Sequence, residues 1–256
     1  MAEESDTDPA PKARPPGRAC ASGGAVAAVA LTVATGAMDA MSFLALGGVF
    51  TSVMTANLSL LGMSTASLDA TLARDSAVAM GGYIVGALVS GRIVRGSRPA
   101  LRGRCALTVE LLALGGLWAV WASADGHPSG GRQLGLLAVA ALAMGGQSGL
   151  VRAVGPPGFS TTYLTGALTG VLVDAVRSGT VRRLSIALLA GLVVGAAAGG
   201  LLVAHAARAA PALPTGLVGL VLLASLTSLA RDAQGHLWPH AEQSAPSPPA
   251  PGRVDR

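Results

Sequence analysis

The chain has 256 residues, of which 51% are hydrophobic and 12% charged, against roughly a quarter charged in an ordinary soluble domain. This composition excludes a soluble globular protein and points to one built in the lipid bilayer. The net charge of +5 does not imply nucleic acid, because the arginines stand in short loops between apolar runs, where they set topology.

Residues 1–23 carry Glu3, Glu4, Asp6 and Asp8, then Lys12, Arg14 and Arg18, among prolines and alanines. They read as a disordered cytoplasmic tail. The apolar run from Gly24 to Leu46 exceeds the core of a cleaved signal peptide and is read as a first span. The transmembrane domain is placed at 24–230, with spans near 24–46, 76–96, 105–123, 133–154, 184–207 and 213–230. From 231 to 256 the chain is again read as a disordered tail. Cys20 and Cys105 lie beside Arg-rich segments, have no spaced metal-ligand partner, and are expected as free thiols.

Two stretches, Gly48–Ser59 and Gly158–Thr169, are shorter and rich in hydroxyls. Shifted by 110 residues they align without a gap: Gly48 falls on Gly158, Thr51 on Thr161, Thr55 on Thr165 and Leu58 on Leu168. If neither stretch crosses the bilayer and the N-terminus is inside, only Arg74, Arg132 and Arg208 of the 18 basic residues lie outside. If both cross, the Arg92–Arg104 and Arg177–Arg183 loops face opposite sides. The charge bias therefore favours six spans with both termini cytoplasmic.

The repeat extends further. Gly36 falls on Gly146 at the same shift, and Gly82, Gly86, Ala87 and Gly91 fall on Gly191, Gly195, Ala196 and Gly200 at 109. The halves 24–123 and 133–230 read as duplicates. Three spans per half makes the second inverted relative to the first. The fold expected is an all-α polytopic membrane helix bundle of about six transmembrane helices plus two short re-entrant or broken helical segments. Such segments line a cavity, or else pack as short helices whose hydroxyls bond their own carbonyls. The Gly82/Gly86 and Gly191/Gly195 pairs are read as close helix packing.

Intramembrane carboxylates are costly and are therefore candidates for function. Asp39 comes just before the first hydroxyl stretch; it could carry a coupling proton, or cap the backbone of the neighbouring turn. Glu110 is expected to form a surface ion pair with Arg102 or Arg104, and Asp174 a local pair with Arg177. Asn57 and Gln147 can hydrogen-bond across the bundle. Trp118 and Trp121 are placed at the outer interface, and His127, His205, His236 and His240 as solvated residues. No nucleotide loop, metal-spaced His pair or nucleophile–base set is present in the sequence, so no enzyme activity, cofactor or metal is expected.

The motifs Gly36-Ala37-Met38-Asp39-Ala40-Met41-Ser42-Phe43-Leu44, Gly48-Val49-Phe50 and Met54-Thr55-Ala56-Asn57 resemble the YoaK family of bacterial membrane proteins, also known as domain of unknown function 1275. In the second half, Ala141–Gly145 with Gln147, and Ser160–Gly166, are similar to that family's other signature. The resemblance covers about residues 24–230 and implies a six-span membrane protein without an established substrate. Where the family usually has Met-Thr-Gly-Asn this chain has Ala56, and where it has Gln-Asn this chain has Ser148. Alanine at 56 argues against a positive φ there.

The expected function is a small-solute transporter or permease of the bacterial inner membrane, open to proton coupling and to assembly as a homodimer. Its site would set Asp39, Thr51, Thr55 and Asn57 against Gln147, Thr161 and Thr165 near the midplane. The alternative is a non-transporting membrane protein that binds a partner, a lipid or a small signal.

Overall fold

The computed structural model describes residues 18–95, 99–154, 164–178 and 183–235. Their regular structure is helical throughout: α1 (Arg18–Ala45), α2 (Met54–Ser67), α3 (Ala70–Val94), α4 (Pro99–Ala122), α5 (Gly130–Val154), α6 (Leu164–Ser178), α7 (Arg183–His205) and α8 (Ala212–Gly235), with a short 3-10 turn at Ala207–Ala209. Six helices are long and apolar enough to cross a membrane, namely α1, α3, α4, α5, α7 and α8 with the turn that precedes it. The other two, of 14 and 15 residues, reach only about 21 and 22 Å at about 1.5 Å per residue. The hydrocarbon core is about 30 Å thick, so α2 and α6 are too short to cross it upright.

Several boundaries differ from the sequence reading. α1 begins at Arg18 inside the expected tail, and α8 continues to Gly235 past 230. Helical hydrogen bonding does not stop where hydrophobicity does. Residues 1–17 and 236–256, the rest of both expected tails, lie outside the described residues. α3 starts at Ala70, six residues before the expected span, because Asp69 caps it: the Asp69 carboxylate accepts from the amides of Thr71 and Leu72, each at 3.0 Å. Only Leu68 and Asp69 separate α2 from α3, so the two form a tight hairpin and pack together.

The helix contacts follow the repeat. α1 packs on α7 and α8, while α5 packs on α3 and α4. Likewise α2 lies on α3 and α6 on α7, and α1 meets α5 as α4 meets α8. Exchanging the halves turns α1–α7 into α3–α5, α1–α8 into α4–α5 and α2–α3 into α6–α7, and carries α1–α5 and α4–α8 onto themselves. The largest contacts thus join helices of different halves, α1 with α7 and α3 with α5.

Glycine makes both of these crossings possible. A Cβ on Gly82 would stand 2.7 Å from the Ala138 carbonyl oxygen, and one on Gly199 2.6 Å from that of Ala37. Gly86 abuts Leu142 and Gly195 abuts Val33 in the same way, backbone to backbone. The paired Gly-x-x-x-Gly motifs are packing surfaces, as expected. Around them lies a core that includes Met38, Met41, Leu114, Leu137 and Met144.

At the ends of α4 and α8 the indoles act as struts. Trp121 is fully buried and donates from Nε1 to the Ala207 carbonyl at 2.7 Å, and Trp118 donates to that of Arg208 at 3.1 Å. The expectation of an interfacial anchor therefore fails for Trp121, whose ring is enclosed by protein and not by headgroups. Cys105 is free and exposed, and His127 and His205 are exposed.

Candidate functional site

Between α1 and α2 the chain leaves helical geometry for eight residues, Leu46–Val53. Gly47 and Gly48 start the departure with φ of +107° and +73°, a region glycine enters without steric cost. Gly47 also has no room for a side chain, since a Cβ would stand 3.1 Å from Cγ of Asp75 and 3.3 Å from Nε2 of Gln133. Backbone freed from a helix in apolar surroundings needs other hydrogen-bond partners. Three side chains supply them.

Ser42 donates from Oγ to the Val49 carbonyl at 2.8 Å. Asn57 holds Phe50 from both sides: its Oδ1 accepts from the Phe50 amide at 3.0 Å, and its Nδ2 donates to the Phe50 carbonyl at 2.6 Å. Asp39 completes the set. Its Oδ1 accepts from the amide and hydroxyl of Thr51 at 2.9 and 2.8 Å and from the Ser52 amide at 2.8 Å, and its Oδ2 accepts from the Ser52 hydroxyl at 2.5 Å. Asp39 is 5% exposed, and Thr51, Ser52 and Asn57 are buried. The segment is therefore latched to α1 by a carboxylate that caps the turn.

Gln147 reaches α1 one helical turn earlier. Its Nε2 donates to the Leu31 carbonyl at 3.1 Å and to the Thr35 hydroxyl at 2.8 Å, while its Oε1, also buried, accepts no hydrogen bond. The Thr35 hydroxyl itself donates to the Leu31 carbonyl at 2.9 Å. Thr32, Thr35, Asp39 and Ser42 thus form a buried polar line along α1, spaced at three and four residues on one helix face.

The other candidates stand apart from it. Thr55 is exposed on α2 and Thr165 on α6, and Thr161 lies outside the described residues. Ala56 sits inside α2 without a positive φ, as its alanine required.

Two acidic residues differ from the sequence reading. Glu110 does not pair with Arg102 or Arg104. Arg102 turns to the carbonyls of Ile93 and Arg95, Arg104 donates to the Ser225 carbonyl at 2.8 Å, and Glu110 is buried with neither oxygen accepting a hydrogen bond. Asp75 was missed because the second span was placed to begin after it. It is buried in the first turns of α3, with Oδ1 taking Nε and Nη2 of Arg74 at 2.9 and 2.8 Å. The capping Asp69 before an apolar run was the signal that would have drawn Asp75 into the helix.

Six long apolar helices, two short ones and a non-helical segment held by buried side chains define a polytopic helical membrane protein. Residues 27–224 match the family described as protein of unknown function (DUF1275), and the chain belongs to that family. No curated protein and no solved structure matches the chain.

Proposed function

We infer that the chain is a small-solute permease of the bacterial inner membrane, both termini cytoplasmic, its two halves inverted, with α2 and α6 entering the bilayer from opposite faces. The observation that carries this reading is the buried polar line on α1, which meets Gln147 of the second half at Thr35 and the non-helical segment at Asp39. Polar groups are expensive to keep at membrane depth, and a simple packing helix has no need of them. Non-helical backbone there is characteristic of cavity-lining elements at repeat interfaces.

Asp39 is the coupling group in this reading. A proton on Oδ2 would take away the acceptor of the Ser52 hydroxyl and add a donor, so the segment would loosen from α1. A solute that is uncharged or cationic suits a path whose acidic residue is Asp39.

The test uses the purified chain in proteoliposomes on a capacitive sensor, challenged with a panel of uncharged and cationic solutes. The reading expects at least one solute to evoke a current that Asp39→Asn abolishes and Thr165→Val leaves unchanged. Silence across the panel, or currents equal in wild type and Asp39→Asn, would contradict it.

A second reading is a non-transporting protein that binds a partner, lipid or signal. It is favoured by the hydrogen bonds of Asp39, which all come from the chain itself, and by the exposure of Thr55 and Thr165. Silence in the same experiment would support it.

A further inference from the structure

A shallow, open cleft lies between α3, α4 and α5. Its walls are apolar, with Gly86, Ala113, Leu142 and Gly146 among them. Val89 and Val109 also line it, yet are 45% and 50% exposed, so the cleft opens on the outer surface of two spanning helices, the side that faces lipid.

Among the described residues only two polar side chains line it, Glu110 and Ser90. They are 4% and 3% exposed, and neither the carboxylate oxygens nor the hydroxyl has a hydrogen-bond partner among the described residues. Glu110 falls near the middle of its span, Leu101–Ala122.

A buried carboxylate without a donor is costly, and one removed from both water and cation carries a proton or acquires a counter-charge. Among the described residues there is none. No arginine, histidine, lysine or second carboxylate among the described residues lines the cleft. On the helices packed against α4, the titratable residues Arg74, Asp75, Tyr83 and Arg92 of α3 and Arg132 and Arg152 of α5 are absent from its walls, and α8 has none between 212 and 227. On α4 itself, Arg102 bonds the Ile93 carbonyl, Arg104 bonds the Ser225 carbonyl through Nη2, and neither these nor the exposed Cys105 lines the cleft. Nor does the repeat require the pair, since at the shift of 109 Ser90 and Glu110 fall on Gly199 and Gly219.

We propose that this cleft is a binding site for an amphiphilic organic cation that enters from the bilayer, with its ammonium head on Glu110 and its apolar body along the α3–α5 wall. Ser90 supplies a further acceptor for the head. Binding exchanges one cation for one proton: the carboxylic acid releases its proton to water and the carboxylate pairs with the ammonium. The site is separate from the α1 polar line and stands whether or not the chain transports.

The test uses the full chain in lipid nanodiscs and dicyclohexylcarbodiimide, a lipid-soluble reagent that modifies protonated carboxyl groups in apolar surroundings, read by mass spectrometry with peptide mapping. Glu110 should take one label and Asp39, enclosed by its four donors, none. Octylamine at neutral pH should slow the labelling at least tenfold while octanol does not, and calorimetry in two buffers should show about one proton released per octylamine bound. E110Q should lose both the label and the octylamine binding. If Glu110 stays unlabelled, or octanol protects as well as octylamine, the proposal is overturned. Should E110Q fail to fold, the comparison of octylamine with octanol on wild type still decides.

Discussion

Ser52 meets Asp39 twice, its amide on Oδ1 at 2.8 Å and its hydroxyl on Oδ2 at 2.5 Å, and with the paired bonds from Thr51 this fastens the turn before α2 to the last third of α1. Hydrogen bonds to a charged group contribute about 1.5 to 3 kcal/mol each, and donors left buried without an acceptor cost more. Asp39→Ala should therefore destabilise the protein by about 3 kcal/mol or more, read as thermal unfolding in detergent. Asp39→Asn keeps an oxygen for the two amides and should cost about half as much. If Asp39→Ala unfolds like wild type, the carboxylate does not hold the segment.

The glycine crossings predict a sharp contrast within one helix. Gly86→Ala pushes a methyl group against the Leu142 and Gly146 backbone, where neither side chain nor rotamer can give way, and overpacking of this kind costs about 1 to 3 kcal/mol. Gly91, on the same helix, has open space around its Cβ position, and Gly91→Ala should be neutral or stabilising by up to about 1 kcal/mol. Equal effects of the two substitutions on melting temperature would show that the α3–α5 contact is looser than described.

Gln147 separates packing from function. Leucine at 147 loses two hydrogen bonds to α1 but also removes the buried, unpaired Oε1, so Gln147→Leu should change stability by no more than about 1 kcal/mol. A permease that uses the α1 polar line should nevertheless lose its solute-evoked current. Retained current with unchanged stability would confine Gln147 to packing.

Much of the fold was legible because the signals were local. Hydropathy placed the six long helices, and a gapless shift of two hydroxyl stretches anticipated α2 and α6. Asp39 was legible as a residue but not as a partner: nothing in a linear sequence sets one carboxylate under the amides of both Thr51 and Ser52. The bond from Gln147 to Thr35 joins residues from different halves, which only the packed bundle brings together. Glu110 was misread for a reason visible in the spacing, since Arg104 and Arg102, six and eight residues away, lie about 9 and 12 Å along the helix axis from it, beyond the reach of pairs three or four apart. Trp121 eluded the sequence because its acceptor belongs to the turn before α8, contributed from far along the chain.

The central claim is that α2 and α6 stop short of crossing, so that the two halves run in opposite directions through the membrane. It is tested most directly by replacing Cys20 and Cys105, placing single cysteines at Ser97 and Ser178, and treating intact cells with a membrane-impermeant thiol reagent. The account predicts that both positions are protected in intact cells and labelled after lysis. Labelling of one alone in intact cells would mean that a short segment spans the bilayer, which would contradict the inverted arrangement and the permease reading built on it.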